Sequence, residues 1–238
     1  MKKALTSLIT LLGFLLSYGQ VADSITNIAV DSSYQVFTDF KHIVYFAVSD
    51  STSEYYYPKL EKKAKYNKAE LTVEECYYFY YGQLFKPGFR GWPFQATKER
   101  MDFDRAIAKG NKKNIIALGI PLLDKDPVDL TVLLHTCVSL ERKRDERFDE
   151  YNTMFRKLLD AIFSDGVGES PETAIKVIHY YDEFIIKGIL GFIGGEESLY
   201  ADKNIPNKIF NVWSANGRKI YFEELTNPAS GKDRLEIQ

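Results

Sequence analysis

His179, Asp182 and Glu183 stand close together in the chain. An imidazole beside two carboxylates is the raw material of general acid–base catalysis. Such a group also needs a pocket and a partner to fix its protonation, and no motif in the sequence supplies either. The three histidines, His42, His135 and His179, show no metal-ligand spacing such as H-E-x-x-H, so each reads as a packing histidine. There is no G-x-S-x-G elbow and no phosphate loop, and Gly191 with Gly194-Gly195 lacks the dinucleotide fingerprint. The stretch Asp165-Gly166-Val167-Gly168-Glu169-Ser170-Pro171-Glu172 offers hard oxygen ligands without the alternating acids of a calcium loop. It reads as a helix stop, then a turn capped by Ser170 with Pro171 at its first position. No catalytic residue, metal ligand or cofactor is assigned. Cys76 and Cys137, the chain's two cysteines, read as buried free thiols, with a single disulfide as the alternative.

A second chemistry lies in the aromatics. Tyr55-Tyr56-Tyr57 and Tyr77-Tyr78-Phe79-Tyr80-Tyr81 form two dense blocks. Tyrosine rings either stack on a ligand or pack with the hydroxyl reaching a partner. Thr72-Val73-Glu74-Glu75 is a capping box, which sets the frame of the helix that follows. In that frame Val73, Tyr77, Tyr80 and Leu84 share a face expected to be buried. Cys76, Phe79 and Gln83 lie beside it, and Tyr78 and Tyr81 cover the rest. The candidate binding residues are therefore Tyr56, Tyr57, Tyr78 and Tyr81, with Trp92 from the loop Gly91-Trp92-Pro93-Phe94.

The elements that must position these residues change character along the chain. Up to about residue 165 the apolar spacing is helical: Val36, Phe40, Ile43, Val44 and Ala47, then Ile115 to Leu123, Leu130 to Leu140 and Phe148 to Ile162. Pro58 suits a first helical turn. A helix ending in Asp126-Pro127 with another directly behind it is TPR-like, although no second copy of the repeat is visible. In the mixed-charge run Glu141–Arg147, Arg142 and Glu146 have i,i+4 pairing distance on a solvated helix end. After Gly168 β-branched and alternating runs take over. Asn216-Gly217 between two of them is a hairpin signal, because both central turn positions need positive φ. The expected fold class is α+β: N-terminal TPR-like helical hairpins over residues 24–165, then a small antiparallel β-sheet over 166–238, packed on the helices.

Residues 1–19 read as a secretory signal peptide, with Lys2-Lys3 ahead of the apolar run Ala4 to Leu16 and small residues around Gly19. That run is shorter than the roughly 20 residues needed to span a bilayer, so no stable membrane insertion is expected. No cysteine lies near the cleavage site, so a lipoprotein is not expected. The exported chain would be periplasmic or extracellular. Its net charge falls from −2 to −4 with the two lysines removed, which argues against nucleic acid as a partner.

Tyr55-Tyr56-Tyr57-Pro58-Lys59-Leu60, Leu71-Thr72-Val73-Glu74-Glu75 with Tyr80-Tyr81-Gly82, the stretch Leu158 to Ala174, and Ile220-Tyr221-Phe222 resemble an exported bacterial family of Bacteroides type. It is known as domain of unknown function number four-nine-one-nine. The resemblance spans nearly all of the chain after residue 19 and implies no activity, cofactor or catalytic residue. Cys76 stands where the family more often has an aromatic, and the Lys86–Phe94 loop differs from the usual one. Functionally the expectation is a non-catalytic binding protein whose helical part docks a peptide or protein. The alternatives are a hydrolase with a dispersed site and a glycan-binding accessory protein using exposed tyrosines.

Overall fold

The computed structural model describes residues 40–87, 89, 97–192, 194–205 and 208–226. Residues 1–19, where a signal peptide is expected, and Val36, Trp92 and the residues from Asn227 lie outside them. The described residues form eight helices: α1 (Phe40–Ser49), α2 (Tyr57–Asn67), α3 (Val73–Gly82), α4 (Lys98–Ala108), α5 (Lys112–Lys125), α6 (Leu130–Lys143), α7 (Phe148–Phe163) and α8 (Tyr180–Ile189). Four strands complete the set: β1 (Ile175–Val177), β2 (Glu196–Tyr200), β3 (Phe210–Ala215) and β4 (Arg218–Glu224).

Local chemistry accounts for most helix ends. Pro58 occupies the first turn of α2, where a missing N–H costs little. Thr72 accepts from the Glu75 N–H at 3.0 Å, and Glu75 accepts from the Thr72 N–H at 2.7 Å, so the capping box of α3 is complete. The Asp129 carboxylate accepts from the Val132 N–H at 2.9 Å and starts α6. Arg144, at φ 53°, turns left-handed and ends α6. The helix therefore stops short of Glu146, and the helical i,i+4 spacing expected for Arg142 and Glu146 is not carried through. Arg147 instead pairs with Asp145 at 2.7 Å.

α4, α5, α6 and α7 pack against one another in sequence order, as successive hairpins do. Their packing does not mark them as tetratricopeptide-like. α3 lies across α7, and α1 and α2 lie on α3, which closes the helical layer instead of extending a repeat.

The α+β class holds, but the sheet is mixed and not antiparallel. Strand order is β1-β4-β3-β2; β2–β3 and β3–β4 are antiparallel, and β1 runs parallel to β4. Parallel neighbours need a long crossover, and α8 lies within it, where only strands were expected. The hairpin tip is Asn216-Gly217, with φ values of 53° and 74°. One sheet face, carrying Ile175, Trp213, Ile220 and Phe222, joins the helical core; Phe210 and Val212 on the other face pack in a small cluster with Ala174. Among the described residues no helix is long and apolar enough to cross a membrane.

Candidate functional site

The buried residues of α3 are Cys76, Phe79, Tyr80, Tyr81 and Gly82, with Gln83 buried just beyond its end, so the buried side lies round from the expected frame. Val73 is exposed and Tyr77 only half-buried. Tyr80 is fully buried, as expected; its hydroxyl donates to Asp182 Oδ2 at 2.6 Å and accepts from the Ile178 N–H at 3.1 Å. Tyr81 is fully buried too, its hydroxyl donating to the Lys176 carbonyl at 3.1 Å. Phe40 closes on its ring edge-on, centroids 4.9 Å apart. Tyr57 is buried against Phe79. Tyr78 is half-buried and stacks on Tyr55 at 4.2 Å, and Tyr56 is half-buried in the turn before α2. Trp92 lies outside the described residues. Any exposed stacking platform must therefore be built without Tyr57 and Tyr81. Both cysteines are free and buried, and burial pushes each thiol up to about 12.

Asp182 and Glu183 sit side by side in the first turn of α8, where the helix dipole favours acids. They face opposite layers. Asp182 reaches α3 through Tyr80. Glu183 reaches β3, accepting from the Asn211 amide at 2.8 Å and the Trp213 indole at 2.9 Å. Burial holds the Asp182 carboxyl well above the usual range and raises Glu183 to about 7.

The sequence-distant Arg100, Asp126, Asp129 and Thr131 join His179, Tyr181 and Asp182 around a cleft of about 20 Å³. Arg100 ties α4 to the start of α6 through Asp129 and pairs with Asp104 at 3.2 Å. Asp126 accepts from the Gln83 amide at 3.2 Å, and burial lifts it to about 6. Burial also lowers the His179 imidazole, whose ring lies against Phe89. The residue types suit proton transfer. The space does not suit a substrate, because such a volume holds about one water molecule. Among the described residues no group of three His, Cys, Asp or Glu is placed to hold a metal ion.

A roomier concavity, about 360 Å³, lies between α2 and the ends of α5, α6 and α7. Its floor is apolar: Ala64, Leu123, Leu133 and Met154, all buried. Its rim carries Lys62, Lys65, Lys68 and Lys125 against Glu61 and Asp124. Lys68 bonds Glu150 at 2.9 Å and lies 4.7 Å over the Tyr151 ring, while Lys62, Lys65 and Lys125 are exposed. The volume falls in the range of about 300–1,000 Å³ common for ligand sites. The sequence reading did not find this groove, because its lining comes from segments far apart in the chain. One signal was available: the lysine run along α2, Glu61-Lys62-Lys63-Ala64-Lys65.

No curated protein and no solved structure matches this chain. The family model described as "Domain of unknown function (DUF4919)" matches residues 42–206, which takes in the tyrosine blocks and the Leu158–Ala174 stretch but stops before Ile220-Tyr221-Phe222. With more than half its length matched, the chain belongs to the DUF4919 family.

Proposed function

We propose that this chain is an exported, non-catalytic binding protein whose helical layer docks an acidic segment of a peptide or protein. The observation that carries the reading is the lysine-rimmed groove over the apolar floor of Leu123, Leu133 and Met154. Four lysines against two acids give the rim a positive balance on a chain of net charge −2. A segment with an apolar anchor flanked by Asp or Glu complements both parts. Export rests on the N-terminal pattern of Lys2-Lys3 and the apolar run after it. The hydrolase alternative has its acid–base groups in a cleft with room for about one water, and each carboxylate there is engaged in a structural bond.

The test is selection of peptides from a random library on the purified chain, then titration of the winners against the wild type and Lys62→Glu/Lys65→Glu. The reading expects acidic sequences with an apolar anchor, and roughly tenfold or greater weakening in the variant, on the scale of one or two lost charge contacts. Winners that bind the charge-reversed variant as well as the wild type would overturn it.

A further inference from the structure

Among the described residues the sheet is open at one side only. β1, one border, is short, and its Ile175 and Val177 are buried where α7 and α8 pack on it. β2, the other border, has all five residues exposed, Leu199 at 70% and Tyr200 at 40%. Its inner side pairs with β3, and no described residue bonds the backbone of its outer side. A bare edge of this kind is a template for another strand, and natural edges are blunted by charged side chains, lysine above all, by proline or by a bulge. Glu-Glu-Ser-Leu-Tyr has two glutamates at one end but no lysine or proline, and its register with β3 runs without a bulge, so charge alone guards this edge and has to be placed by the register.

We propose that β2 pairs antiparallel with β2 of a second copy of this chain, joining the two sheets about a two-fold axis at Ser198. The sequence of the edge selects this occupant and this register. Centred on Ser198, Glu196 stands opposite Tyr200 of the other copy, Glu197 opposite Leu199, and Ser198 opposite itself. All five residues pair and no acid faces an acid. A two-fold pairing keeps like faces of the sheet together, so the neighbouring registers are centred on Glu197 or Leu199. The first sets Glu197 against Glu197, and the second sets Glu196 against Asp202. Like charges directly opposite are destabilising, so both are disfavoured. Glu197 is already held by the Tyr180 hydroxyl at 2.8 Å, and pairing covers the exposed Leu199.

Sedimentation velocity over a wide concentration range, with mild oxidation of Ser198→Cys, tests this. Directly opposed residues of an antiparallel pair have Cα atoms about 4.5–5.5 Å apart, within disulfide reach. The two native cysteines are buried and do not compete. The expected result is a monomer–dimer equilibrium, a covalent dimer through Cys at 198, and little or none through Glu196→Cys. Leu199→Glu, which opposes Glu197, should abolish dimerisation, and Leu199→Lys, which complements it, should preserve it. A chain that stays monomeric throughout, including one that pairs only with a strand of a different protein, overturns the proposal. So does a dimer that Ser198→Cys fails to cross-link, or one that responds alike to Leu199→Glu and Leu199→Lys.

Discussion

Two concavities of this protein invite opposite readings. The cleft at the start of α8 gathers Arg100, His179 and three aspartates, and it encloses about 20 Å³. The groove beside α2 has ordinary lysines and aliphatic side chains, and it offers about 360 Å³. Residue types alone do not make a site. The polar residues of the cleft are engaged in joining layers: Tyr80 on α3 to Asp182 on α8, Arg100 on α4 to Asp129 at α6, Gln83 to Asp126. Buried polar groups that satisfy one another in this way fix one arrangement of the elements around them. The groove has fewer such ties and a surface left to fill.

The largest expected effect is in the layer behind the cleft. Tyr80→Ala removes a fully buried ring and the hydroxyl that donates to Asp182, and should cost about 3–5 kcal/mol in urea unfolding. Tyr81→Ala should fall in the same range, and Tyr77→Ala and Tyr78→Ala clearly below it, since both rings are half-buried. Equal small losses at all four positions would mean that α3 is not packed as described. Tyr80→Phe isolates the hydroxyl and should cost about 1–3 kcal/mol.

A smaller effect is pH dependence of unusual sign. Asp126 at about 6 and Glu183 at about 7 hold protons in the folded state that the unfolded chain releases near pH 4. Between those values these two carboxyls hold more protons in the folded state, so their contribution to stability falls as pH rises through the window, and the raised Asp182 acts in the same direction. On acidification from pH 7 to 5 each carboxyl should therefore add stability, on the order of 1 kcal/mol per pH unit inside its window, against the opposite contribution of the buried His135 and His179. Glu183→Gln should flatten the upper part of that slope. A Tm–pH profile that Glu183→Gln leaves unchanged would show that this carboxyl is not buried as described. The smallest stability effect belongs to the groove: Lys62→Glu/Lys65→Glu, on exposed side chains, should change unfolding by less than about 0.5 kcal/mol.

Local chemistry was readable in the sequence. Thr72 and Glu75 announced α3, Pro58 the start of α2, and Asn216-Gly217 the hairpin, because each feature acts within a few residues of itself. What depended on distant partners was not. The capping box fixes where α3 begins, but its buried side is decided by α7, Phe40 and the chain at Lys176 and Ile178. Tyr81 was therefore assigned to the outside and lies in the core. The parallel β1–β4 pairing and the α8 crossover were missed for the same reason, since nothing in Ile175–Val177 names its partner strand. Of the acid–base trio, His179 and Asp182 do meet at the cleft, while Glu183 turns to the sheet. Arg100 arrives from α4, and Asp126 and Asp129 from the link between α5 and α6, without any spacing to reveal them.

The contrast between the two concavities reduces to one titration of an acidic, apolar-anchored peptide into two folded variants. Asp182→Asn alters the cleft, and Lys62→Glu/Lys65→Glu alters the groove. The account predicts wild-type affinity for the first and at least a roughly tenfold loss for the second. Lost binding in Asp182→Asn with full binding in the groove variant would place the function at the cleft and contradict it.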